Sequence, residues 1–128
     1  HLSNKEVLNY YCNNPIDLFI NVSESEGIPV SIMEAISCGI PIIATNVGGT
    51  SEIVTDKFGI MLPKNISASD LSKTIDEFIS KSVEDKNKMK LNAFNYWGKN
   101  FNADSNYQEF SKFLITLLPQ LKNNPEEN

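Results

Sequence analysis

The stretch SESEGIPVSIMEAISCGIPIIATNVGG, Ser23 to Gly49, decides how this chain is read. Pro29 stands where a first helical residue is favoured, because a missing N–H costs nothing there. Apolar residues follow it, and Gly39 occupies the position just past a helix end that favours a left-handed residue. The pattern predicts a helix over 29–38. "PIIAT", Pro41 to Thr45, is a short apolar run without alternation, the mark of a strand covered on both faces. Two glutamates are out of keeping with so much burial. Glu26 approaches the helix, and Glu34 lies within it on a face shared with Val30, Met33, Ser37 and Cys38.

The flanks extend the same alternation. Upstream, Ser3 to Glu6 has the form of a capping box and predicts a helix over 4–12, ended by Asn13-Asn14-Pro15. Ile16 to Val22, IDLFINV, reads as a buried parallel strand. Downstream, NVGGTSE is a loop leading into one helical turn, and Gly59 to Pro63 is a third strand. Leu71, Ile75, Phe78 and Ile79 predict the apolar face of a helix behind Ser69-Asp70. Further helices are expected over 83–97, stopping at Gly98, and over 104–121, with Tyr107, Phe110, Phe113, Leu114, Leu117 and Leu118 on its apolar face. The last residues, 123–128, read as a disordered tail. The fold class is therefore α/β: part of a doubly wound, Rossmann-like parallel sheet with C-terminal helices, spanning 1–122. Three strands make a thin sheet, and the chain starts inside a helix with no strand before it. It is expected to be the C-terminal part of a larger protein.

With 128 residues, 41% of them hydrophobic and 21% charged, the composition is that of one globular domain. The net charge is −5 and arginine is absent, which argues against a nucleic-acid partner. The same balance argues against this piece alone docking on anionic lipid. Cys12 and Cys38 have no metal or redox spacing and read as two reduced, partly buried thiols of a cytosolic protein. No apolar run reaches the roughly 18–20 residues of a membrane span. The tripeptides Asn21-Val-Ser and Asn65-Ile-Ser match a glycosylation pattern by accident, since the first falls in an expected core strand.

In doubly wound sheets, ligands bind at the carboxyl ends of the strands beside helix N-termini, whose unpaired N–H groups and positive dipole end suit phosphate. Two loops hold that place: Ser23 to Pro29 and Asn46 to Thr50. Both carry small residues that let a ligand approach the backbone. A carboxylate on a half-buried face is costly unless it accepts hydrogen bonds. Sugar and ribose hydroxyls would satisfy Glu34; so would a neighbouring loop or a lysine, and the pattern leaves these open.

The ordered set Glu26-x7-Glu34, Gly39-Ile40-Pro41, Gly48-Gly49 and Glu52-Ile53-Val54 resembles the retaining glycosyltransferases of the GT-B fold, the family 4 type known as glycosyl transferases group 1. The resemblance covers roughly residues 4–118. It implies that the chain is the C-terminal, donor-binding domain of an enzyme that moves a sugar from a nucleotide-sugar, such as a UDP- or GDP-sugar, to an acceptor hydroxyl with retention. It implies further that Glu26 meets the donor sugar as the catalytic residue and that Glu34 binds the ribose hydroxyls. Backbone amides of Gly27, Ile28, Val30 and Ser31 reach the sugar and diphosphate. Pro29, where many members have glycine, donates no N–H. Gly48, Gly49 and Thr50 line the same cleft, or simply form a tight turn.

No metal or other cofactor is expected. A covalent intermediate on Glu26 ranks below a front-face route. The family's basic diphosphate residues and its N-terminal acceptor domain have no counterpart here. The final helix is expected to return to that missing domain and, left uncovered, to self-associate. A cytoplasmic location follows for such enzymes, with peripheral placement at the inner face of the membrane in the intact protein, and a role in polysaccharide biosynthesis. The rival readings are a GT-B sugar-nucleotide epimerase, which Asn46-Val-Gly-Gly fits poorly, and a non-catalytic α/β module that binds a partner protein.

Overall fold

The computed structural model describes residues 2–102. The first helix, α1 (Asn4–Asn13), opens on the expected capping box: the Glu6 carboxylate accepts the Ser3 backbone N–H at 2.7 Å while the Ser3 hydroxyl oxygen accepts that of Glu6. At its far end, Asn13 and Asn14 donate their side-chain amides to the carbonyls of Asn9 and Tyr10. Tyr10 is one of the last four residues of α1, whose carbonyls a helix end otherwise leaves unpaired.

Three parallel strands follow, β1 (Phe19–Asn21), β2 (Ile42–Thr45) and β3 (Gly59–Leu62), adjacent in that order. The register pairs Phe19 with Ile42 and Ile42 with Gly59. Between and after them lie α2 (Val30–Ser37), the one-turn α3 (Thr50–Ile53), α4 (Ala68–Ile79) and α5 (Val83–Asn100). All four residues of β2 are buried. Its side chains alternate between two cores. Ile42 and Ala44 pack with Ile32, Ala35 and Ile36 of α2, with Phe58 and with Ala93 of α5. Ile43 packs on the other side with Leu62 and with Phe78, Leu71 and Ile75 of α4. Helices thus cover both faces of a parallel sheet, as the doubly wound reading requires. Each fully buried Ile or Phe contributes about 1.5–3 kcal/mol relative to leaving it in water.

α2 ends as its sequence dictates. Gly39 has φ +70°, its N–H donates to Ile36 O at 3.0 Å, and Ile40 N–H returns to Ala35 O at 3.1 Å. This pair of bonds is a Schellman closure, and it turns the chain directly into β2.

Several expectations are corrected. IDLFINV is not a buried strand throughout: only Phe19–Asn21 pairs, because β2 begins no earlier than Ile42, and as an edge strand it leaves Ile20 39% exposed. Pro29 is the N-cap of α2 rather than its first residue, with ψ of 88°. The helix expected behind Ser69-Asp70 starts earlier, capped by Ser67, and its Ile79 is 61% exposed at the last turn. Gly98 does not stop α5. A Cβ there would meet nothing within 4 Å, and the helix runs on until Phe101, which packs on Tyr96.

Cys12 and Cys38 are not free thiols either. They form a disulfide, the last turn of α1 lying against the C-cap of α2 with Cα atoms 5.3 Å apart. That spacing is within bridging range, and no sequence motif announces it across 26 residues. The helix expected over 104–121, its self-association, the tail 123–128 and the boundary at 122 lie outside the described residues.

Candidate functional site

The site is built where β1 and β2 end. Asn21 is the last residue of β1, and its side chain organises the turn that follows. Its Oδ1 accepts the Ser23 N–H at 3.1 Å, and its Nδ2 donates to Glu26 Oε1 at 3.2 Å. Ser23 Oγ lies 2.5 Å from the same Glu26 oxygen and 2.6 Å from Asn21 Oδ1. Thr45, buried at the end of β2, donates its hydroxyl to the Ser23 carbonyl at 2.6 Å. The loop carrying Glu26 is therefore tied to the ends of two strands. Hydrogen bonds from Ser23 and, after it, Asn21 hold the Glu26 carboxyl below its ordinary value, against a small opposing effect of burial.

The second loop closes on the first through its glycines. Gly49 N–H donates to Gly27 O at 2.9 Å. Gly48 has φ +51°, and a Cβ on it would lie 1.9 Å from the Glu26 carbonyl oxygen. A Cβ on Gly49 would lie 2.9 Å from Gly27 O. Glycine is required here because two stretches of backbone touch, whatever ligand they face. Thr50 is buried and spends its hydroxyl on Val47 O at 2.7 Å, so it braces this loop from within.

α2 begins beside these loops. Pro29 gives it no side-chain cap, and its first turn holds no acidic residue. Ile28 and Val30 are mostly exposed, Ser31 is half-buried and Pro29 is buried. Glu34 lies one turn further along, half-buried, and its carboxylate accepts no hydrogen bond and pairs with no lysine among the described residues. Tyr11 of α1 is close enough to sense it: burial first, and the Glu34 charge second, raise the Tyr11 hydroxyl above its ordinary value. Tyr11 is itself fixed edge-on against Phe19, ring centroids 6.1 Å apart.

The structure brings Glu26, Gly27, Gly48 and Gly49 into one contact network. Glu34 stands apart from it, and no contact among the described residues joins the two carboxylates. A 590 Å³ cavity elsewhere, lined by Asp56, Lys57, Lys81, Asp85 and Lys88, lies at the amino end of β3, away from both. Among the described residues no three His, Cys, Asp or Glu side chains converge on a point. No helix of the described residues is long and apolar enough to cross a membrane. Sequence reasoning missed Asn21, Ser23, Thr45 and Tyr11. The first two had a signal, since paired polar residues at the carboxyl end of an apolar strand are placed for a site.

The family model described as glycosyl transferases group 1 matches residues 1–96. An uncharacterized glycosyltransferase of Methanocaldococcus jannaschii is 29% identical over 106 residues, 80% of this chain and 26% of that protein. The N,N'-diacetylbacillosaminyl-diphospho-undecaprenol alpha-1,3-N-acetylgalactosaminyltransferase of Campylobacter jejuni is 37% identical over 76 residues, 59% of this chain and 19% of the enzyme. The chain thus spans about a quarter or less of these relatives. Among solved structures, the C-terminal domain of a group 1 glycosyl transferase, LpcC of Francisella tularensis, superposes with a TM-score of 0.67 at 22% identity, over 80% of this chain and 51% of that one. Anabaena HepE in complex with UDP gives a TM-score of 0.67 at 24% identity, over 79% of this chain and 28% of that one. At these identities the two structures speak for the GT-B fold.

Proposed function

The chain belongs to the glycosyl transferases group 1 family, and from that premise we propose that it is the donor-binding part of a retaining glycosyltransferase that uses a nucleotide-sugar. The observation that carries the reading is the pairing of an ionised, tethered Glu26 with an uncapped helix N-terminus one loop away. A diphosphate suits the open N–H groups of α2. Glu34, without a protein partner among the described residues, is left to accept ribose hydroxyls as a charge-assisted acceptor. Glu26 meets the sugar, and Gly27, Ile28, Val30 and Ser31 offer backbone amides between the two. Gly48, Gly49 and Thr50 shape the loop that backs Glu26.

The reaction breaks the bond between the anomeric carbon and the diphosphate oxygen and forms one from that carbon to the acceptor oxygen on the same face. The hydroxyl proton leaves with the diphosphate. The protein's work is positioning and stabilisation of charge, with no metal or other cofactor required of the chain. The acceptor side belongs to an N-terminal domain of the intact protein. Relatives named for O-antigen and lipopolysaccharide core biosynthesis support an acceptor of the glycoconjugate or polysaccharide class. A cytoplasmic enzyme, peripheral to the membrane in the intact protein, is part of the same proposal.

Two variants of the intact protein test this. Glu34→Gln is expected to weaken UDP or GDP binding by about 1–3 kcal/mol in calorimetry. Glu26→Ala is expected to spare that affinity and abolish transfer. Unchanged affinity for both nucleotides in the first, or wild-type turnover in the second, defeats the assignment.

A further inference from the structure

We propose that Asn21 and Ser23 are positioning residues for Glu26: together they hold one carboxylate oxygen, so that the glutamate works as a fixed anion and presents its other oxygen to the donor sugar. The inference rests on the reading of Glu26 as the residue that meets that sugar. It starts from a hydroxyl with one proton and two acceptors in reach. Ser23 Oγ is 2.5 Å from Glu26 Oε1 and 2.6 Å from Asn21 Oδ1. An ionised oxygen is the stronger acceptor, so the proton goes to Glu26 while Glu26 is charged. The Asn21 amide cannot turn round to change this. Its oxygen is claimed by the Ser23 N–H at 3.1 Å, which leaves the nitrogen to donate to Glu26 Oε1 at 3.2 Å.

Both donors therefore converge on one oxygen, and Glu26 Oε2 receives no hydrogen bond from a described residue. The donors are themselves anchored. Asn21 ends β1, and Ser23 is bound through its carbonyl to Thr45 of β2. The loop after β2, Asn46 to Gly49, and the first turn of α2 bring no charged side chain to Glu26. Glu24, the nearest charge in sequence, has the same sign, and no lysine among the described residues pairs with Glu26. The two donors are thus what sets the carboxylate's state. A protonated Glu26 would free the Ser23 hydroxyl to turn to Asn21 and would lose its hold, so the network selects the anion. A glutamate kept this way suits a positive charge growing at the anomeric carbon, or a sugar hydroxyl, and is a poor proton donor.

The test uses the intact protein with UDP-glucose, UDP-N-acetylglucosamine and GDP-mannose as donor probes. Ser23→Ala is expected to lower kcat roughly 10- to 100-fold, the loss of one hydrogen bond to a charged group. KM should stay within about 3-fold, since the nucleotide contacts are elsewhere. The acid limb of the kcat profile should move to higher pH. Ser23→Thr, which keeps the hydroxyl, should recover most of the rate. Asn21→Ala should act in the same direction. If it fails to fold, Ser23→Ala decides alone, because the Thr45 bond to the Ser23 carbonyl is untouched.

A second readout needs no turnover. In protein labelled with carboxyl-13C glutamate, the Glu26 titration should move upward in Ser23→Ala, toward the ordinary carboxylate value. A Glu26 titration unmoved by either substitution overturns the positioning role. A titration that moves while kcat does not overturns instead the donor-sugar role of Glu26 on which the proposal rests.

Discussion

The N-terminus of α2 and those of α4 and α5 follow opposite rules. Ser67 caps α4, accepting the Asp70 N–H at 3.1 Å, and Ser82 caps α5, accepting that of Asp85 at 3.0 Å. Each adds an acidic residue in the first turn, where the helix dipole welcomes it. α2 has Pro29 in place of a hydroxyl and no acid in its first turn. Two helices pair an orphan donor with a capping hydroxyl, and the third has no side-chain cap. The glycines differ in the same way. Gly48, in the loop that abuts the approach to α2, has backbone within 1.9 Å of where a Cβ would be, while Gly98 in α5 has nothing within 4 Å. Closeness of backbone to backbone, and a helix end left unpaired, are where this domain departs from self-sufficient structure.

The glycine contrast should give the largest difference. Gly48→Ala forces a Cβ into the Glu26 carbonyl at a positive φ, and is expected to cost at least about 2–3 kcal/mol by urea unfolding and to displace the Glu26 loop. Gly98→Ala, in an open helical position, should stabilise by about 0.5–1 kcal/mol. Equal effects from the two would remove the argument for a backbone contact at Gly48.

The helix ends give the next. Val30→Asp places a carboxylate in the exposed first turn of α2. It should stabilise the helix by about 0.3–1 kcal/mol through the dipole and, by repelling the diphosphate, weaken UDP or GDP binding by about tenfold or more. Ser82→Ala should do the reverse, losing about 0.5–2 kcal/mol of stability with nucleotide affinity unchanged. Nucleotide binding indifferent to Val30→Asp would mean that the open end of α2 is not the anion site.

The smallest effect is in acid. Glu6 and Glu26 both titrate below the ordinary 4.5 in the folded chain, through hydrogen bonds from Ser3 and from Ser23 and Asn21 respectively. A lowered folded value means that the stabilisation is in place above the unfolded value and is lost as pH falls through the folded one. The thermal midpoint should be flat from pH 7 to about pH 5.5 and drop below about 4.5, with the drop reduced in Ser23→Ala. A midpoint that falls by the same amount in Ser23→Ala would show that Glu26 contributes nothing to it.

Much of this was legible in the residues alone. Apolar runs without alternation at Pro41–Thr45 and Gly59–Pro63, a glycine after Cys38 and a capping box at Ser3 are local signals, and local physics sufficed to place α1, α2, β2 and β3. The ordered set from Glu26 and Glu34 to Gly48-Gly49 carried the resemblance to a family whose model matches residues 1–96. Four other features depended on contacts between residues distant in sequence. β1 proved short because its partner starts only at Ile42, and half-exposed because β2 is its one neighbour among the described residues. The Cys12–Cys38 bond needed α1 laid against the end of α2. Tyr11 met Glu34 through the same packing. Asn21-Val-Ser, a chance tripeptide by its letters, became the two polar groups that hold Glu26 only once β1 ended there and Thr45 reached across from β2 to the Ser23 carbonyl. Periodicity and capping are written along the chain, whereas the partner of a side chain is chosen by which strand and helix ends meet.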